Sequence, residues 1–229
     1  LDYSLAKAYE LYLYLLSQLV DLQDYASRKK ASEEATAKRL KKDSNAVVTP
    51  AATILAQNKF LLQLAENKAL LKYRSKKTDW DEEPAFIKGL FEAIATNEAI
   101  AAYVEANDNS YEADRELIRF LYKNIILSYE PYDALLEDHS LYWNDDKHII
   151  DSFIIKTIKR FEEKNGAEQE LLPQYAKSDD EEFAQKLFFA TLEREKEVRG
   201  YLKENVKNWK FDRLALMDVI IMQLTLTEM

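Results

Sequence analysis

A cluster of basic side chains stands out in an otherwise acidic chain. Residues 28–42 contain seven basic and two acidic side chains, whereas the whole chain has a net charge of −9. Such a patch could bind phosphate groups with an affinity that falls as salt rises, and a solvated helix end is the alternative that stays open. Lysines without aromatic or amide neighbours give no base-sequence preference. The seven residues are Arg28, Lys29, Lys30, Lys38, Arg39, Lys41 and Lys42.

One pair of residues has a spacing that suits metal binding. Asp145 and His148 are three residues apart, so on a helix their carboxylate and imidazole could share an ion. A metal-binding helical bundle needs a second such pair on another helix, and the remaining histidine, His139, lacks a carboxylate at that spacing. We therefore expect a solvated or capping region here and no bound metal.

Two acidic clusters, at residues 79–83 and 179–182, could suggest acid–base catalysis. Catalytic carboxylates need a buried setting that shifts their pKa, and these clusters fall where helices are expected to begin. Capping and the positive end of the helix dipole already account for them there. The chain has no Cys and 3 Gly, which excludes thiolate sites and leaves no phosphate-binding glycine loop. The sequence therefore predicts neither an enzyme nor a cofactor.

The scarcity of turn residues indicates which kind of secondary structure positions the basic and acidic side chains. With 3 Gly and 4 Pro in 229 residues, a strand-rich fold is disfavoured, and apolar residues recur at helical spacing. The sequence predicts an all-α helical bundle without significant β-sheet. The last helix is apolar on most sides and is expected inside the bundle, whereas the basic half of the first helix is expected to stand free of the core. The expected helices span residues 2–42, 51–73, 84–100, 112–128, 131–139, 145–165, 182–206 and 211–229.

Two further features of the sequence bear on where the protein is located in the cell. No apolar run approaches the roughly 18 residues of a membrane span, and the absence of Cys fits a reducing compartment. We expect a cytoplasmic protein without a membrane partner. The 14 tyrosines, among them Tyr9, Tyr12 and Tyr103, fall mostly on apolar stripes and are expected in the core or at interfaces.

The last fifty residues contain a distinctive pattern, carried by residues 183–188, 201–205 and 208–221, with Asp212, Arg213, Asp218 and Glu228 on it. This pattern resembles the NusB family of transcription antitermination factors. In that family an amphipathic helix leads to a short aromatic turn, an acidic–basic pair and a buried apolar helix. Residues 140–147, followed by Phe161, are similar to the longer bacterial NusB-like proteins.

The resemblance implies a function in RNA and protein binding. NusB proteins consist of two helical subdomains and bind boxA RNA together with the ribosomal protein NusE, which helps the RNA polymerase elongation complex to pass terminators. They use no cofactor and catalyse no reaction. By this resemblance Lys210 and Arg213 would lie near phosphates and Asp218 would contact RNA or NusE, although Asp212 and Arg213 could instead cap the last helix. A homodimer is left open.

The resemblance also implies a division of the chain. Residues 1–110 would be an N-terminal helical extension containing the basic helix, and residues 111–229 a NusB-like region. The Arg-rich N-terminal helix of the family and its last helices have no counterpart, so we expect a chain truncated at both ends. Two alternatives remain: a helical scaffold for protein partners without RNA affinity, and a metal-dependent helical enzyme.

Overall fold

A computed structural model describes residues 2–39, 48–76, 83–177, 179–207 and 210–229. Throughout these ranges the chain forms α-helices and short 3-10 turns, and no strand is found within them. The all-α prediction is therefore confirmed. The α-helices are α1 (Asp2–Arg39), α2 (Pro50–Gln57), α3 (Lys59–Glu66), α4 (Lys68–Arg74), α5 (Pro84–Ala95), α6 (Glu98–Ala106), α7 (Tyr111–Asn124), α8 (Pro131–His139), α9 (Lys147–Arg160), α10 (Asp180–Glu193), α11 (Glu195–Asn205) and α12 (Leu216–Glu228).

The chain forms two compact units. The larger comprises Ser4–Leu172, and the smaller comprises Leu1–Tyr3 with Pro173–Met229. The predicted division after residue 110 separates a family-like region from an extension, whereas the two units are separated by their internal contacts. The predicted division therefore stays a prediction. Among the described helices, none has both the length and the apolar character needed to cross a bilayer.

The larger unit is built around the first helix. Side chains at helical spacing along α1, such as Leu11, Leu15 and Leu19, are almost fully buried. The hydroxyl of Tyr12 lies 2.7 Å from Thr157 Oγ1 and accepts a hydrogen bond from the backbone N–H of Leu172, as a buried tyrosine requires. α1 therefore forms part of the core from Ala8 to Ala26.

The basic half of α1 is not free of the core. Ala26 is fully buried within it, and the Glu33 carboxylate accepts hydrogen bonds from the Thr49 backbone N–H at 2.8 Å and from Thr49 Oγ1 at 2.9 Å. The expectation that this half stands free is wrong as far as Glu33, because Thr49 ties it to the start of α2. The predicted end at residue 42 lies outside the described residues.

The helix predicted over residues 51–73 is divided into α2, α3 and α4. Asn58 and Asn67 stand at the two breaks in extended conformation, and their Oδ1 atoms accept hydrogen bonds from the N–H groups of Leu61 and Leu70. Asparagine favours this position because its side chain satisfies an otherwise unpaired N–H of the first turn. Each asparagine therefore ends one helix and caps the next.

Other predicted helices are also shorter than expected. The helix placed over residues 84–100 breaks at Asn97, and the one placed over residues 182–206 breaks at Arg194. The helix predicted to end at Asn165 ends at Arg160, and Gly166 (φ 48°) lies in a 3-10 segment instead of closing that helix. The end of the helix predicted to Ser128 is a 3-10 turn, Ile126–Ser128. Hydrophobic periodicity continues across such breaks and does not show them.

A polar network lies inside the larger unit. The hydroxyls of Tyr122 and Tyr132 both donate to Asp151 Oδ1, at 2.8 and 2.9 Å. All three side chains are buried, and burial raises the pKa of Asp151 while the two tyrosine hydrogen bonds oppose that rise. The carboxylate links α7, α8 and α9.

The smaller unit exposes more apolar surface than the sequence predicts. Within α12 the side chains of Val219 and Gln223 are buried, whereas Leu216, Met217 and Ile221 are 68%, 63% and 55% exposed. The prediction that this helix is enclosed on most sides is therefore wrong. The physical reason is size: the described helices of this unit, α10, α11 and α12, offer too little apolar surface to cover α12 on all sides.

Candidate nucleic-acid interface

A cluster of cations around an aromatic ring lies on the smaller unit. Lys196, Arg199 and Lys203 follow one another at helical spacing on α11 and share one face. The Arg199 guanidinium carbon lies 5.8 Å, and Lys203 Nζ lies 5.5 Å, from the centre of the half-buried Phe211 ring. Cations at this distance are attracted to the ring, which keeps them beside the turn after α11.

The turn that contains Phe211 carries two of the cations predicted from the sequence. Phe211–Arg213 form a 3-10 helix, closed by the Arg213 N–H donating to the Lys210 carbonyl at 2.9 Å. Lys210 and Arg213 are both exposed. We name the set Arg199, Lys203, Lys210, Phe211 and Arg213 the Phe211 cluster.

The capping alternative for Asp212 and Arg213 is not what the structure shows. Ala215 stands at the N-cap of α12, and no side chain caps that helix. Asp212 and Arg213 belong to the preceding 3-10 turn and are exposed. The Arg213 guanidinium therefore remains available to an anion.

The Phe211 cluster has acidic neighbours that limit its charge. Arg199 Nη1 lies 3.2 Å from Glu195 Oε1 on the same helix, while Glu204 and Asp212 are exposed nearby in sequence. Exposed pairs such as Arg199–Glu195 are weak and can be exchanged for a phosphate contact. The cluster keeps an excess of cations on a chain whose overall charge repels nucleic acid.

Asp218, predicted as a partner contact, lies in the first turn of α12. Its side chain is exposed and is flanked by the exposed Leu216 and Met217. A carboxylate at this position is favoured by the helix dipole. Asp218 therefore stands beside the apolar surface of α12, where a protein partner could reach it.

Sequence reasoning missed Arg199, Lys203 and Phe211. The signal was present, because Lys196, Arg199 and Lys203 are spaced to share one helical face. It was hidden by the alternating glutamates of α11, which leave the segment without a run of positive charge. The contact of that face with Phe211 depends on how the chain folds back after α11.

The basic run of α1 lies on the larger unit and is partly neutralised. Lys29 Nζ lies 3.1 Å from Glu33 Oε1, and Lys30 Nζ lies 3.6 Å from Glu34 Oε1. Burial raises the pKa of Glu33, but the hydrogen bonds from Thr49 and Lys29 outweigh burial, so the pKa lies below its usual value. Lys29 and Lys30 thus already have partners.

The remaining described cations of the basic run in α1 are exposed. Arg28 and Arg39 lie about three helical turns apart and so point to the same side, with Lys38 beside Arg39. Within the described ranges no ion pair is found for these three. Arg28 borders a cleft that also contains Asp21 and Asp24, whose charges oppose a phosphate. Lys41 and Lys42 lie outside the described residues.

The histidines do not converge on a site within the described ranges. His148 and Asp145 are exposed, and His139 Nε2 lies 3.6 Å from Glu83 Oε1 beside Tyr14 and Trp143. Within the same ranges, no three or more His, Asp and Glu side chains lie close enough together to hold a metal ion.

Comparison with known proteins finds a family match for the C-terminal part of the given sequence. The model of the NusB family matches residues 149–229, which include α9 and the Phe211 cluster. No curated protein and no solved structure matches the chain. At the family level NusB points to RNA binding and transcription antitermination, without catalysis. The resemblance of the last fifty residues to the NusB family is thereby confirmed by a match that extends over residues 149–229.

Proposed function

We propose that this protein is a transcription antitermination factor that binds boxA-type RNA together with the ribosomal protein NusE. The observation that carries the proposal is the Phe211 cluster, which lies within the NusB-family segment. The proposed site of action is the RNA polymerase elongation complex in the cytoplasm. The proposal needs no cofactor and no catalytic residue.

The cluster supports the binding of single-stranded RNA. Lys203, Lys210 and Arg213 can contact successive phosphates, and phosphate contacts position RNA without reading its sequence. The part of the Phe211 ring that remains exposed offers a stacking surface for one base, as in other proteins that bind single strands. Phosphate contacts of this kind weaken steeply as salt rises.

Asp218 and the exposed apolar side chains of α12 support the assignment of a protein partner to the same unit. NusE would bury Leu216 and Met217. Asp218 would pair with a basic residue of NusE or contact the RNA. Apolar residues at the centre and charges at the rim are the usual arrangement of a protein interface. The cations Arg28, Lys38 and Arg39 of α1 are proposed as additional phosphate contacts, with Lys41 and Lys42 following them in sequence.

A helical scaffold without RNA affinity is the second candidate. Its support is the net charge of −9 together with the exposed Phe183, Phe189 and Leu192 of α10, which suit a protein partner better than RNA. This alternative predicts partner binding that does not change when cations of the Phe211 cluster are removed.

Fluorescence anisotropy with labelled RNA tests the proposal. The chain and NusE are titrated together into boxA RNA and into a scrambled RNA of the same composition, at low and at physiological salt. The proposal predicts tighter binding to boxA, in the range of about tenfold or more, and weaker binding of both RNAs as salt rises. Equal affinity for the two RNAs with NusE present would contradict it, and binding of NusE alone would favour the scaffold.

A further inference from the structure

A groove runs along the helical hairpin formed by α6 and α7 in the larger unit. The two helices are joined by residues 107–110, where Asn107 takes a left-handed conformation (φ 48°) that closes the turn. The groove has a volume of about 640 Å³ and is open to solvent along its length. This volume falls in the range of ligand sites, although its shape suits an elongated occupant.

The floor of the groove is apolar and made largely of small side chains. Ala99 and Ala102 come from α6, and Ala113 and Leu117 come from α7. Tyr103 forms part of the wall and is held in place because its hydroxyl donates to Asp114, which also accepts a hydrogen bond from the Lys59 N–H at 2.7 Å. Small side chains on a fixed floor would allow the backbone of another helix to approach closely.

One end of the groove carries an exposed aromatic side chain. Phe120 on α7 is 45% exposed although it lies one turn from the buried Leu117. Aromatic residues at the edge of an apolar surface are frequent energetic anchors of protein interfaces.

The α6 side of the groove is acidic. Glu98 and Glu105 lie two turns apart on the face that borders the groove, and α6 contains no Lys or Arg. Within the described ranges neither glutamate is found in an ion pair. On α7, Arg119 is paired with Glu116. The rim therefore presents unneutralised negative charge over an apolar floor.

We propose that the α6–α7 groove binds an amphipathic helix of a partner protein, with small or aliphatic residues on the bound face and Lys or Arg along its edge. An apolar floor that accepts residues at i, i+3, i+4 and i+7 is the arrangement by which grooves recognise helices. The length of α6 corresponds to about 13 Å, or two to three turns of bound helix. Two glutamates two turns apart match two cations at the same spacing on that helix.

The charge of the rim distinguishes this surface from an RNA site. Carboxylates repel phosphates, so Glu98 and Glu105 disfavour the ligand proposed for the Phe211 cluster. The groove belongs to the larger unit and lies outside the NusB-family segment. The inference therefore goes beyond antitermination and does not depend on RNA binding.

A stapled synthetic helix of about 14 residues is the probe. It carries Leu and Ala along one face and two Lys spaced by seven residues at the edge of that face. A second peptide of the same composition has the order scrambled so that no apolar face forms. Binding of the fluorescent peptides to the full chain is measured by anisotropy.

Two variants and one control locate the binding. Ala102→Arg places a long side chain on the exposed floor without removing a core contact, and it should weaken binding by about tenfold or more. Glu98→Lys with Glu105→Lys should weaken binding by about tenfold at low salt and less at high salt, since rim charges are screened. Glu193→Lys with Glu204→Lys makes the same change in net charge at exposed positions of α10 and α11 and should leave affinity unchanged.

Circular dichroism first compares the helical content of each variant with that of the wild type. A loss of peptide binding can then be separated from a loss of folding. Selective binding of the amphipathic peptide, lost in Ala102→Arg and kept in the control pair, supports the proposal. It is overturned if both peptides bind alike, if neither binds, or if Ala102→Arg binds as the wild type does. Equal weakening by the two charge reversals would show attraction by net charge alone and would also overturn it.

Discussion

Lys203 Nζ lies 5.5 Å from the centre of the Phe211 ring, which brings a helix cation onto the turn that contains Lys210 and Arg213. The ring stabilises the ammonium group at that position and limits the number of rotamers that Lys203 explores. A side chain that is already ordered loses less conformational entropy when it binds a phosphate. The Phe211 cluster is therefore better suited to RNA than separate lysines with the same charge would be.

Removing the two partners of this contact should have different effects on RNA binding. Lys203→Gln removes one phosphate contact and should lower the slope of log affinity against log salt by about 0.7 for single-stranded RNA. Phe211→Leu removes a stacking surface and should weaken binding by about 1–3 kcal/mol with a smaller change in slope. Both are measured by anisotropy over a salt series.

Lys186→Gln is the matched control for the Lys203 variant. Lys186 is exposed on α10 and pairs with Glu182 on the same helix, 2.5 Å away. Its replacement removes the same charge outside the cluster, so the salt slope should stay unchanged. If Lys186→Gln reduces the slope as much as Lys203→Gln does, the cluster has no special role.

The cations of α1 should divide into two groups. Arg28, Lys38 and Arg39 are exposed, whereas Lys29 and Lys30 are paired with Glu33 and Glu34. If α1 contacts RNA, replacing the first three by Gln should lower the salt slope by about 2. Replacing Lys29 and Lys30 by Gln should change it little. Similar slopes for the triple variant and the wild type would place α1 outside the RNA surface.

The breaks at Asn58 and Asn67 show which part of the fold hydrophobic spacing could predict. The helical character of residues 51–73 was foreseeable, because apolar side chains recur at helical pitch on both sides of each break. The breaks were not, since they depend on tertiary partners: Asn58 Nδ2 donates to the Asp114 carbonyl and Asn67 Nδ2 donates to the Gln169 carbonyl. A local signal existed in retrospect, because Asn-Lys-x-Leu-Leu occurs at residues 58–62 and again at residues 67–71.

Asn58→Ala should destabilise the larger unit strongly. The variant loses the cap on Leu61 and leaves the buried carbonyl of Asp114 without this donor, with a combined cost of about 2–4 kcal/mol. Ser110→Ala removes an exposed cap, from Ser110 Oγ to the Ala113 N–H, and should cost about 1 kcal/mol. Urea denaturation measures both. Equal losses would mean that the buried hydrogen bond of Asn58 contributes nothing beyond its cap.

The Asp151 network should respond to the kind of substitution. Asp151→Ala leaves two buried tyrosine hydroxyls without an acceptor and should cost about 2–5 kcal/mol. Asp151→Asn keeps an oxygen at the same place and should cost about 1 kcal/mol at neutral pH. The free energy of unfolding of the two variants gives the comparison. A larger loss for Asn than for Ala would contradict the hydrogen-bonding role.

The raised pKa of Asp151 also predicts a pH dependence. Between 3.8, the ordinary value, and the higher pKa in the folded protein, the folded state binds more protons than the unfolded state. Stability contributed by this group is therefore greatest at low pH and is lost as the pH rises through the folded pKa. From about pH 4 to about pH 7, the wild type should lose stability relative to Asp151→Asn, which cannot titrate. A constant difference between the two would mean that the pKa is not raised.

The candidate interface was only partly foreseeable from sequence. Lys210, Arg213 and Asp218 came from the resemblance to a family, and the structure shows all three exposed on the smaller unit. Arg199, Lys203 and Phe211 form contacts across a turn, which one-dimensional spacing does not reveal. The exposure of α12 was also missed, because an apolar sequence predicts a buried helix and does not show how many other helices pack against it.

Photocrosslinking of bound RNA, followed by mass spectrometry of the crosslinked peptides, tests the central claim most directly. With boxA RNA and NusE present, we predict crosslinks at Phe211 and in the peptides that contain Arg199, Lys203 and Lys210. These crosslinks should decrease at high salt, where the phosphate contacts are weakened. Crosslinks confined to other parts of the chain, with none on residues 199–213, would contradict the assignment of this cluster as the RNA-binding surface.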